Sequence, residues 1–425
     1  MTTRFLTVRR VALILSVSLL AACGGQHDDT VGANPSAPAA PAAPGVATPA
    51  AADQLARGRY LVKAADCAAC HTSADGAPFA GGVKLVSPFG SFYGTNITSD
   101  KDHGIGKWSA GDFYKALHDG VSPRGQLYPA MPYTSYRQLS RADTDAMYAW
   151  LTAQKPAAVA NREPELSFPF NLRFAVRFWD GLFLKDALPD ASKGQSADWQ
   201  RGRYLANALG HCAECHTPRG KFGQLDQALP LTGGALGRVV APDITPQGLA
   251  ARGWTAADLQ TFFATGIAPQ GSAFSEMYPV VHLSSQYLNH DDLRAMSTYL
   301  LGDHPPAPQA LQSISADAAQ LAAGRNLYLA VCAGCHGRDG EGKPHVAVPM
   351  SGNSTVRQSD PHNLIVAMLD GIEAQDFPGV ERMQGMPGFA GQLDDTELAQ
   401  LASYLRATWG GQSADVTADA VKTLR

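Results

Sequence analysis

Three stretches of the chain carry apolar residues at the three- and four-residue spacing of an amphipathic helix. Each stretch begins after a residue type that caps helix N-termini, and each ends on an aromatic residue followed by leucine. The capping residues are Ser140, Asn289 and Asp394, and the endings are Trp150 with Leu151, Tyr299 with Leu300, and Tyr404 with Leu405. The pattern predicts three helices of one design, called here the closing helices.

The segments ahead of the closing helices also repeat. The run Arg-Gly-Arg-Tyr-Leu occurs at 57–61 and again at 201–205, and a weaker copy keeps Gly324, Arg325 and Leu327. A glycine in each opening helix would let the aromatic residue of the closing helix cross it at close range. We therefore predict a mainly α fold with three tandem domains. Their boundaries are 53–158, 196–305 and 316–412, followed by a tail at 413–425.

Residues 159–195 connect the first two of these repeats and are rich in phenylalanine and tryptophan. One predicted helical face contains Leu172, Ala175, Val176, Trp179 and Leu182. We expect this connector to pack against its own repeats. A docking surface for another molecule is the alternative.

The first 22 residues have the pattern of a signal peptide, with three arginines, an apolar run that ends at Leu20, and small residues. Leu-Ala-Ala-Cys at 20–23 resembles the lipobox of bacterial lipoproteins, which implies cleavage before Cys23 and lipid on its sulfur. An ordinary cleavage site is the alternative. Residues 23–52 are rich in alanine and proline and would form an extended spacer. We expect a membrane-anchored lipoprotein facing the bacterial periplasm.

Composition narrows the classes of partner. Of the 425 residues, 45% are hydrophobic and 17% are charged, which is typical of a globular protein. The formal net charge is −4, so the chain lacks the strong positive charge that nucleic-acid binding favours. We expect no nucleic-acid partner.

Six of the seven cysteines fall in three Cys-x-x-Cys-His motifs, each placed after an opening segment. This motif is the attachment signature of c-type haem, in which both thiols bond to the porphyrin and the histidine ligates iron. A zinc site, a redox dithiol or a disulfide are the alternatives, but three motifs in register with a repeat favour haem. The predicted attachment residues are Cys67, Cys70, Cys212, Cys215, Cys332 and Cys335, and the predicted iron ligands are His71, His216 and His336.

A second axial ligand separates a haem that carries electrons from one that binds a small molecule. Met131 and Met277 lie 60 and 61 residues after the motif histidines of their repeats, and Met386 lies 50 residues after its own. Each precedes a closing helix, so we predict three haems with His/Met ligation. Met383 and Met350 are rivals of Met386, and methionine elsewhere commonly fills a core.

Several short sequence runs outside the haem motifs are also typical of a known family. They are Asn-Ile-Thr at 96–98, Gly-Ile-Gly at 104–106, Phe-Pro-Phe-Asn at 168–171, Asp-Ile-Thr-Pro at 243–246, Gly-Asn-Ser at 352–354 and Tyr-Leu-Arg at 404–406. With these runs and the haem motifs, the chain resembles the triheme cytochrome c subunits of bacterial membrane-bound dehydrogenases acting on alcohols, gluconate or sorbitol. The resemblance implies three domains of the class I cytochrome c type. It also implies a catalytic dehydrogenase partner, either a flavoprotein or a quinoprotein, and electron delivery to ubiquinone or a terminal oxidase.

The first functional hypothesis is thus an electron-transfer subunit without a substrate site of its own. The sequence contains no nucleophile motif, carboxylate pair or nucleotide-binding loop that would support substrate chemistry. A freestanding redox shuttle and a haem peroxidase with one open haem are the alternatives.

Overall fold

The computed structural model describes residues 51–184, 194–312, 314, 318–379 and 381–425. The predicted signal peptide, Cys23 and nearly all of the predicted linker lie outside the described residues. Within the described part of the chain, no helix is both long and apolar enough to span a membrane.

Helices dominate each of the three repeats. In the first they are Ala51–Ala64, Cys67–His71, Ala110–Asp119, Tyr133–Tyr136 and Arg141–Thr152. The connector contains the 3₁₀ turn Arg173–Ala175 and the helix Val176–Phe183. In the second they are Ala197–Arg203, Tyr204–Leu209, Ala213–His216, Pro246–Ala251, Ala256–Thr265, Met277–Leu283, Ser285–Tyr287 and His290–Leu301. In the third they are Ala318–Leu327, Tyr328–Cys332, Ala333–His336, His362–Asp370, Asp395–Leu405, Arg406–Gly410 and Ala418–Leu424. The mainly α prediction is confirmed.

The strands are short, and every pair is antiparallel. Gly90–Tyr93 lies between Lys84–Ser87 and the connector strand Glu165–Leu166. The other pairs are hairpins: Val121–Ser122 with Gly125–Gln126, Gly234–Leu236 with Val239–Ala241, Ile267–Ala268 with Gly271–Ser272, and Gln375–Phe377 with Glu381–Met383. They brace the loops between the helices.

The closing helices begin where the sequence predicts. The side chains of Ser140, Asn289 and Asp394 each accept a hydrogen bond from the backbone N–H three residues on. These bonds satisfy one N–H group that a helix N-terminus otherwise leaves unpaired. The three predicted caps are therefore confirmed.

Each opening helix crosses its closing helix at a glycine, as predicted. A Cβ atom on Gly58, Gly202 or Gly324 would lie only 2.0, 1.9 or 2.2 Å from a backbone oxygen of the closing helix. The Cβ atoms of Trp150, Tyr299 and Tyr404 lie within 2.8 Å of the same points. Only glycine permits so close an approach of two helices. The three repeats share this packing constraint.

The buried apolar residues divide unequally among the repeats. One continuous core runs from Leu61 in the first repeat to Leu301 in the second. The third repeat has a separate core around Tyr328, Ile365 and Leu401. The first two repeats are thus packed as one body.

Reciprocal polar contacts join these two repeats. Asp143 accepts hydrogen bonds from Arg57 of its own repeat at 2.8 Å and from Tyr204 of the second repeat at 2.6 Å. Asp292 in turn accepts hydrogen bonds from Arg201 of its own repeat at 2.8 Å and from Tyr60 of the first at 2.5 Å. The Arg-Gly-Arg-Tyr-Leu run therefore has three structural uses. Its first arginine binds the aspartate of the same repeat, its glycine permits the helix crossing, and its tyrosine binds the aspartate of the other repeat.

Both aspartates of these contacts are buried. Burial opposes ionisation of Asp292, yet the hydrogen bonds from Arg201 and Tyr60 outweigh it and lower the pKa of that carboxyl. A buried carboxylate that lost one of these donors would be poorly compensated. The interface consequently depends on the two tyrosine hydroxyls.

Replacing Gly202 tests the helix crossing. We expect Gly202→Ala to lower the free energy of unfolding by about 1–3 kcal/mol, because the added methyl group overlaps the Ala295 carbonyl. The measurement is urea unfolding of the haem-loaded chain, followed by far-ultraviolet circular dichroism. Gly181→Ala is the matched control, since its methyl group would meet no atom within 4 Å. Equal unfolding midpoints for the two variants would contradict the assigned role of Gly202.

Removing the tyrosine hydroxyls tests the reciprocal contacts. We expect Tyr60→Phe and Tyr204→Phe each to cost about 1–2 kcal/mol of stability, because each leaves a buried carboxylate short of one hydrogen bond. Tyr287→Phe, which alters a half-exposed ring, is the control. Unfolding midpoints as high in the two interface variants as in this control would show that the hydroxyls contribute nothing to the interface.

Candidate functional site

The three Cys-x-x-Cys-His motifs occupy equivalent places in the fold. Each forms a single helical turn that directly follows an opening helix, at Cys67–His71, Ala213–His216 and Ala333–His336. In the second and third repeats the opening helix widens into a π-helical turn just before the motif. All three motifs therefore follow an opening helix, and the second and third also share the π-helical turn.

Each motif histidine donates a hydrogen bond from Nδ1 to a backbone carbonyl oxygen. His71 bonds to Thr95 at 2.6 Å, His216 to Pro242 at 2.7 Å, and His336 to Val348 at 3.2 Å. Because a carbonyl can only accept, Nδ1 carries the proton and the Nε2 lone pair is left for a metal. Such a bond also fixes the direction of the ring. The three imidazoles thus share the arrangement of a metal-ligating histidine.

Burial keeps these imidazoles neutral. It lowers the pKa of His216 to about 4 and also lowers the pKa of His71 and of His336. A histidine must be neutral to donate a lone pair to a metal ion. The protonation state of all three suits ligation near neutral pH.

The structure does not support the three alternatives to haem at these cysteines. All six motif cysteines are free of disulfide bonds in the structure. Burial raises the pKa of the Cys67 and Cys212 thiols to about 12, whereas a redox dithiol needs a lowered thiol pKa. Among the described residues, no three His, Cys, Asp or Glu side chains converge in the manner of a zinc site.

A single cavity connects the second and third motifs. Its empty space is about 2710 Å³, including the part open to solvent. The walls include both cysteines and the histidine of each motif, together with Met277 and Met386. Apolar residues such as Trp254, Phe263 and Leu364 form much of the remaining wall. Paired thiols, an imidazole and a thioether on apolar walls form the donor set that haem c requires, so these residues fit the group.

Met131 belongs to the corresponding part of the first repeat. It lies in a turn before the helix Tyr133–Tyr136, partly buried, and packs against the core that Cys67 also contacts. Met277 begins the helix Met277–Leu283 and is likewise partly buried against that core. The first two predicted methionines therefore lie beside the core of their own repeats.

The third repeat offers more than one thioether. Met386 pairs with Ile372 in an antiparallel bridge and packs against the core of the third repeat. Met350 and Met383 also line the shared cavity. The structure therefore brings the predicted ligand and both of its rivals to one cavity.

The first and second motifs lie close together. Burial, followed by the charges of Asp66 and of Cys215 in the second motif, raises the pKa of the Cys70 thiol to about 11. The motif helix Cys67–His71 packs against the helix that Met277 begins. Thr134 and Ser135, which follow Met131, donate hydrogen bonds to Glu214 inside the second motif. Each motif thus contacts the methionine segment of the other repeat.

Sequence reasoning missed the carbonyl partners of the histidines. Thr95 and Pro242 stand directly before the runs Asn-Ile-Thr and Asp-Ile-Thr. Within these runs, Asn96 accepts hydrogen bonds from Thr98, and Asp243 accepts one from the backbone of Thr245. These turns hold the carbonyl in position. The repeated Ile-Thr run was the available signal, although a sequence cannot show which group a turn serves.

Comparisons with known proteins agree with this arrangement. The family model "Cytochrome c" matches residues 55–155 and 321–409, and that family implies covalently bound haem c. The cytochrome c subunit of an alcohol dehydrogenase (quinone) from Gluconobacter oxydans is 35% identical, covering 87% of this chain and 82% of the relative. The fructose dehydrogenase cytochrome subunit from Gluconobacter japonicus is 36% identical, covering 89% and 84%. The gluconate 2-dehydrogenase cytochrome c subunit from Pantoea cypripedii is 35% identical, covering 87% and 89%.

The matches extend over more than four fifths of this chain and of each of these relatives. This chain therefore belongs to the family of cytochrome c subunits of bacterial dehydrogenases.

Proposed function

We propose that this chain is the triheme electron-transfer subunit of a membrane-bound periplasmic dehydrogenase. One observation carries the proposal. In all three repeats, the histidine of the motif follows a pair of cysteines and its Nδ1 donates a hydrogen bond to a backbone carbonyl. Haem c held at such a site supplies an iron that alternates between two oxidation states and so carries one electron.

Different side chains would attach each haem and ligate its iron. In the proposal, Cys67 and Cys70, Cys212 and Cys215, and Cys332 and Cys335 attach the three groups covalently. His71, His216 and His336 would each supply a nitrogen ligand to the iron, oriented by their backbone carbonyl partners. Met131, Met277 and Met386 would supply the second ligand position of each iron. With both positions filled, no open site is left for peroxide or oxygen, which favours electron transfer over peroxidase chemistry.

The contacts between repeats support a relay with the second site in the middle. The first motif helix packs against the methionine segment of the second repeat. The second and third motifs line one cavity. Arg252 of the second repeat also donates a hydrogen bond to Ser354 of the third at 3.0 Å, which helps fix the two repeats around that cavity. An electron entering at either end would therefore pass the second site.

The partners in this proposal lie at the two ends of the relay. A catalytic subunit, either a flavoprotein or a quinoprotein, oxidises the substrate and passes electrons to this chain. The names of the relatives as cytochrome subunits of alcohol, fructose and gluconate dehydrogenases support such a partner. Ubiquinone or a terminal oxidase then receives the electrons. The chain itself is proposed to contact redox partners and no substrate.

The location rests on the N-terminal sequence. The run Leu-Ala-Ala-Cys supports cleavage before Cys23 and attachment of lipid to its sulfur, and the Ala/Pro-rich residues that follow supply a spacer. The protein would then be a periplasm-facing lipoprotein whose haem-bearing body stands off the membrane.

Methionine replacement tests the axial ligands. Met277→Ala should leave the second haem five-coordinate when reduced, so carbon monoxide should bind to about one haem per chain. The wild-type protein should bind almost none. The measurement is the absorption change of the reduced protein on addition of carbon monoxide, calibrated to total haem.

The third repeat supplies the matched control for the same experiment. Met386→Ala should also open one haem, whereas Met383→Ala and Met350→Ala should leave it closed, although all three residues line the cavity. If Met383→Ala or Met350→Ala bound carbon monoxide and Met386→Ala did not, the methionine replaced in the binding variant would be the iron ligand instead of Met386. Binding by the unmodified protein would instead support the peroxidase alternative.

Removing Cys23 tests the anchor. Because an acyl-modified cysteine inserts its chains into the bilayer, the wild-type protein should stay on membranes through a high-salt wash, and Cys23→Ser should be released by it. The measurement is haem staining of the washed membrane and supernatant fractions. The conservative exchange retains a small polar side chain while removing the attachment atom. Retention of Cys23→Ser after the wash would contradict the lipid anchor.

A further inference from the structure

Five large apolar side chains are exposed on the connector and the adjoining loop of the second repeat. They are Phe168, Phe174, Phe178, Leu182 and Phe222, and between 64 and 78% of each is exposed. Single exposed apolar residues are common, but a group of this kind marks a contact surface. This set is called here the connector patch.

Helix geometry places most of the connector patch on one line. Phe178 and Leu182 lie four residues apart in the helix Val176–Phe183 and so project from one face, and Phe174 precedes Phe178 by four residues in the adjoining 3₁₀ turn. Phe222 lies beside the far end of this line. Its ring stacks on Phe183 with centroids 6.3 Å apart, and its carbonyl accepts a hydrogen bond from Trp179.

The opposite side of the helix is fixed to the protein. Val176 is buried, and Asp180 accepts hydrogen bonds from Tyr133 at 2.8 Å and from Gln126 at 2.6 Å. The predicted face that joined Ala175, Val176 and Leu182 is therefore wrong at Ala175 and Leu182, which are exposed. One face of the connector packs against the first repeat, as predicted, and another projects into solvent.

The charges around the connector patch differ in sign from those of the chain as a whole. The chain has a formal net charge of −4, yet Arg177 and Lys221 are exposed next to patch residues. Asp180 is the only acidic residue of the helix Val176–Phe183, and its carboxylate is turned inward by its two hydrogen bonds. Nearby, Arg173 and Arg219 are each paired with a glutamate. Among the described residues around the patch, the exposed charges outside these pairs are thus positive, which suits an anionic surface.

We propose that the connector patch docks on the surface of a membrane containing anionic lipid. Helices that lie in the membrane interface combine exposed aromatic and leucine side chains with flanking cations, as this segment does. Each side chain of the connector patch exposes more than half of its surface, so it can enter the fluid acyl chains of a membrane without a complementary pocket. Arg177 and Lys221 meet the lipid phosphates. The contact is independent of Cys23 and of the electron-transfer function.

Vesicle binding tests this proposal on the haem-loaded full chain carrying Cys23→Ser, so that no lipid anchor contributes. At low salt this protein should sediment with vesicles of phosphatidylcholine and phosphatidylglycerol, and less with phosphatidylcholine alone. Adding Phe174→Ser, Phe178→Ser and Leu182→Ser should weaken binding by about tenfold or more, because three apolar side chains no longer leave water. Arg177→Gln should weaken binding only to the anionic vesicles.

The matched control is Leu311→Ser with Ile314→Ser, which removes two other partly exposed apolar side chains from the segment before the third repeat. This control should bind as the parent does, and haem absorption spectra verify that every variant is folded. Equal binding by the triple serine variant and the parent, or no binding by the parent, would overturn the proposal. Unchanged vesicle binding with loss of a co-purifying dehydrogenase subunit would also overturn it, in favour of a protein interface.

Discussion

The close crossing of each opening helix over its closing helix is the constraint on which the rest of the structure depends. Gly58, Gly202 and Gly324 allow backbone contact that any side chain would prevent. The crossing fixes the end of the opening helix, and the Cys-x-x-Cys-His turn follows directly from that end. Because the motif begins only eight to ten residues after the crossing glycine, the crossing constrains its position relative to the closing helix in all three repeats.

The repeats differ in what surrounds that crossing. In the first two, arginine and tyrosine of the opening helix bind two buried aspartates, and the tyrosines do so across the interface. The third has Ala323 and Asn326 at the equivalent positions. It consequently lacks these two donors and keeps a separate core. Its contacts to the second repeat are of another kind, including an ion pair between Arg238 and Asp370 at 2.7 Å. The first two sites therefore share a packed body, whereas the second and third share a cavity.

Local features could be predicted from the sequence because neighbouring residues determine them. The caps at Ser140, Asn289 and Asp394 and the glycine crossings depend on spacing along one or two helices, and both predictions are confirmed. The carbonyl partners of the histidines and the reciprocal tyrosines depend on groups brought together by the whole fold. No periodic pattern encodes such pairs.

The exposed face of the connector and the choice among the methionines of the third repeat also could not be predicted from the sequence alone. Apolar periodicity placed Leu182 on one face with Val176, but burial depends on how far the neighbouring repeat extends, and Val176 is buried whereas Leu182 is mostly exposed. Met350, Met383 and Met386 lie within a short stretch of chain, and the fold brings all of them to one cavity. Sequence position alone favours Met386 through the proline that follows it. The Cys-x-x-Cys-His motifs, in contrast, were recognisable because the proposed attachment chemistry depends on a fixed local spacing.

The central claim is that three haems are each held between a motif histidine and a methionine. The most direct measurement is near-infrared magnetic circular dichroism of the oxidised protein, with haem quantified separately, since sulfur ligation of low-spin ferric haem gives its own charge-transfer band. The account predicts three haems per chain, all low-spin and all with the methionine band. A high-spin haem, a bis-histidine signature or fewer than three haems per chain would contradict it.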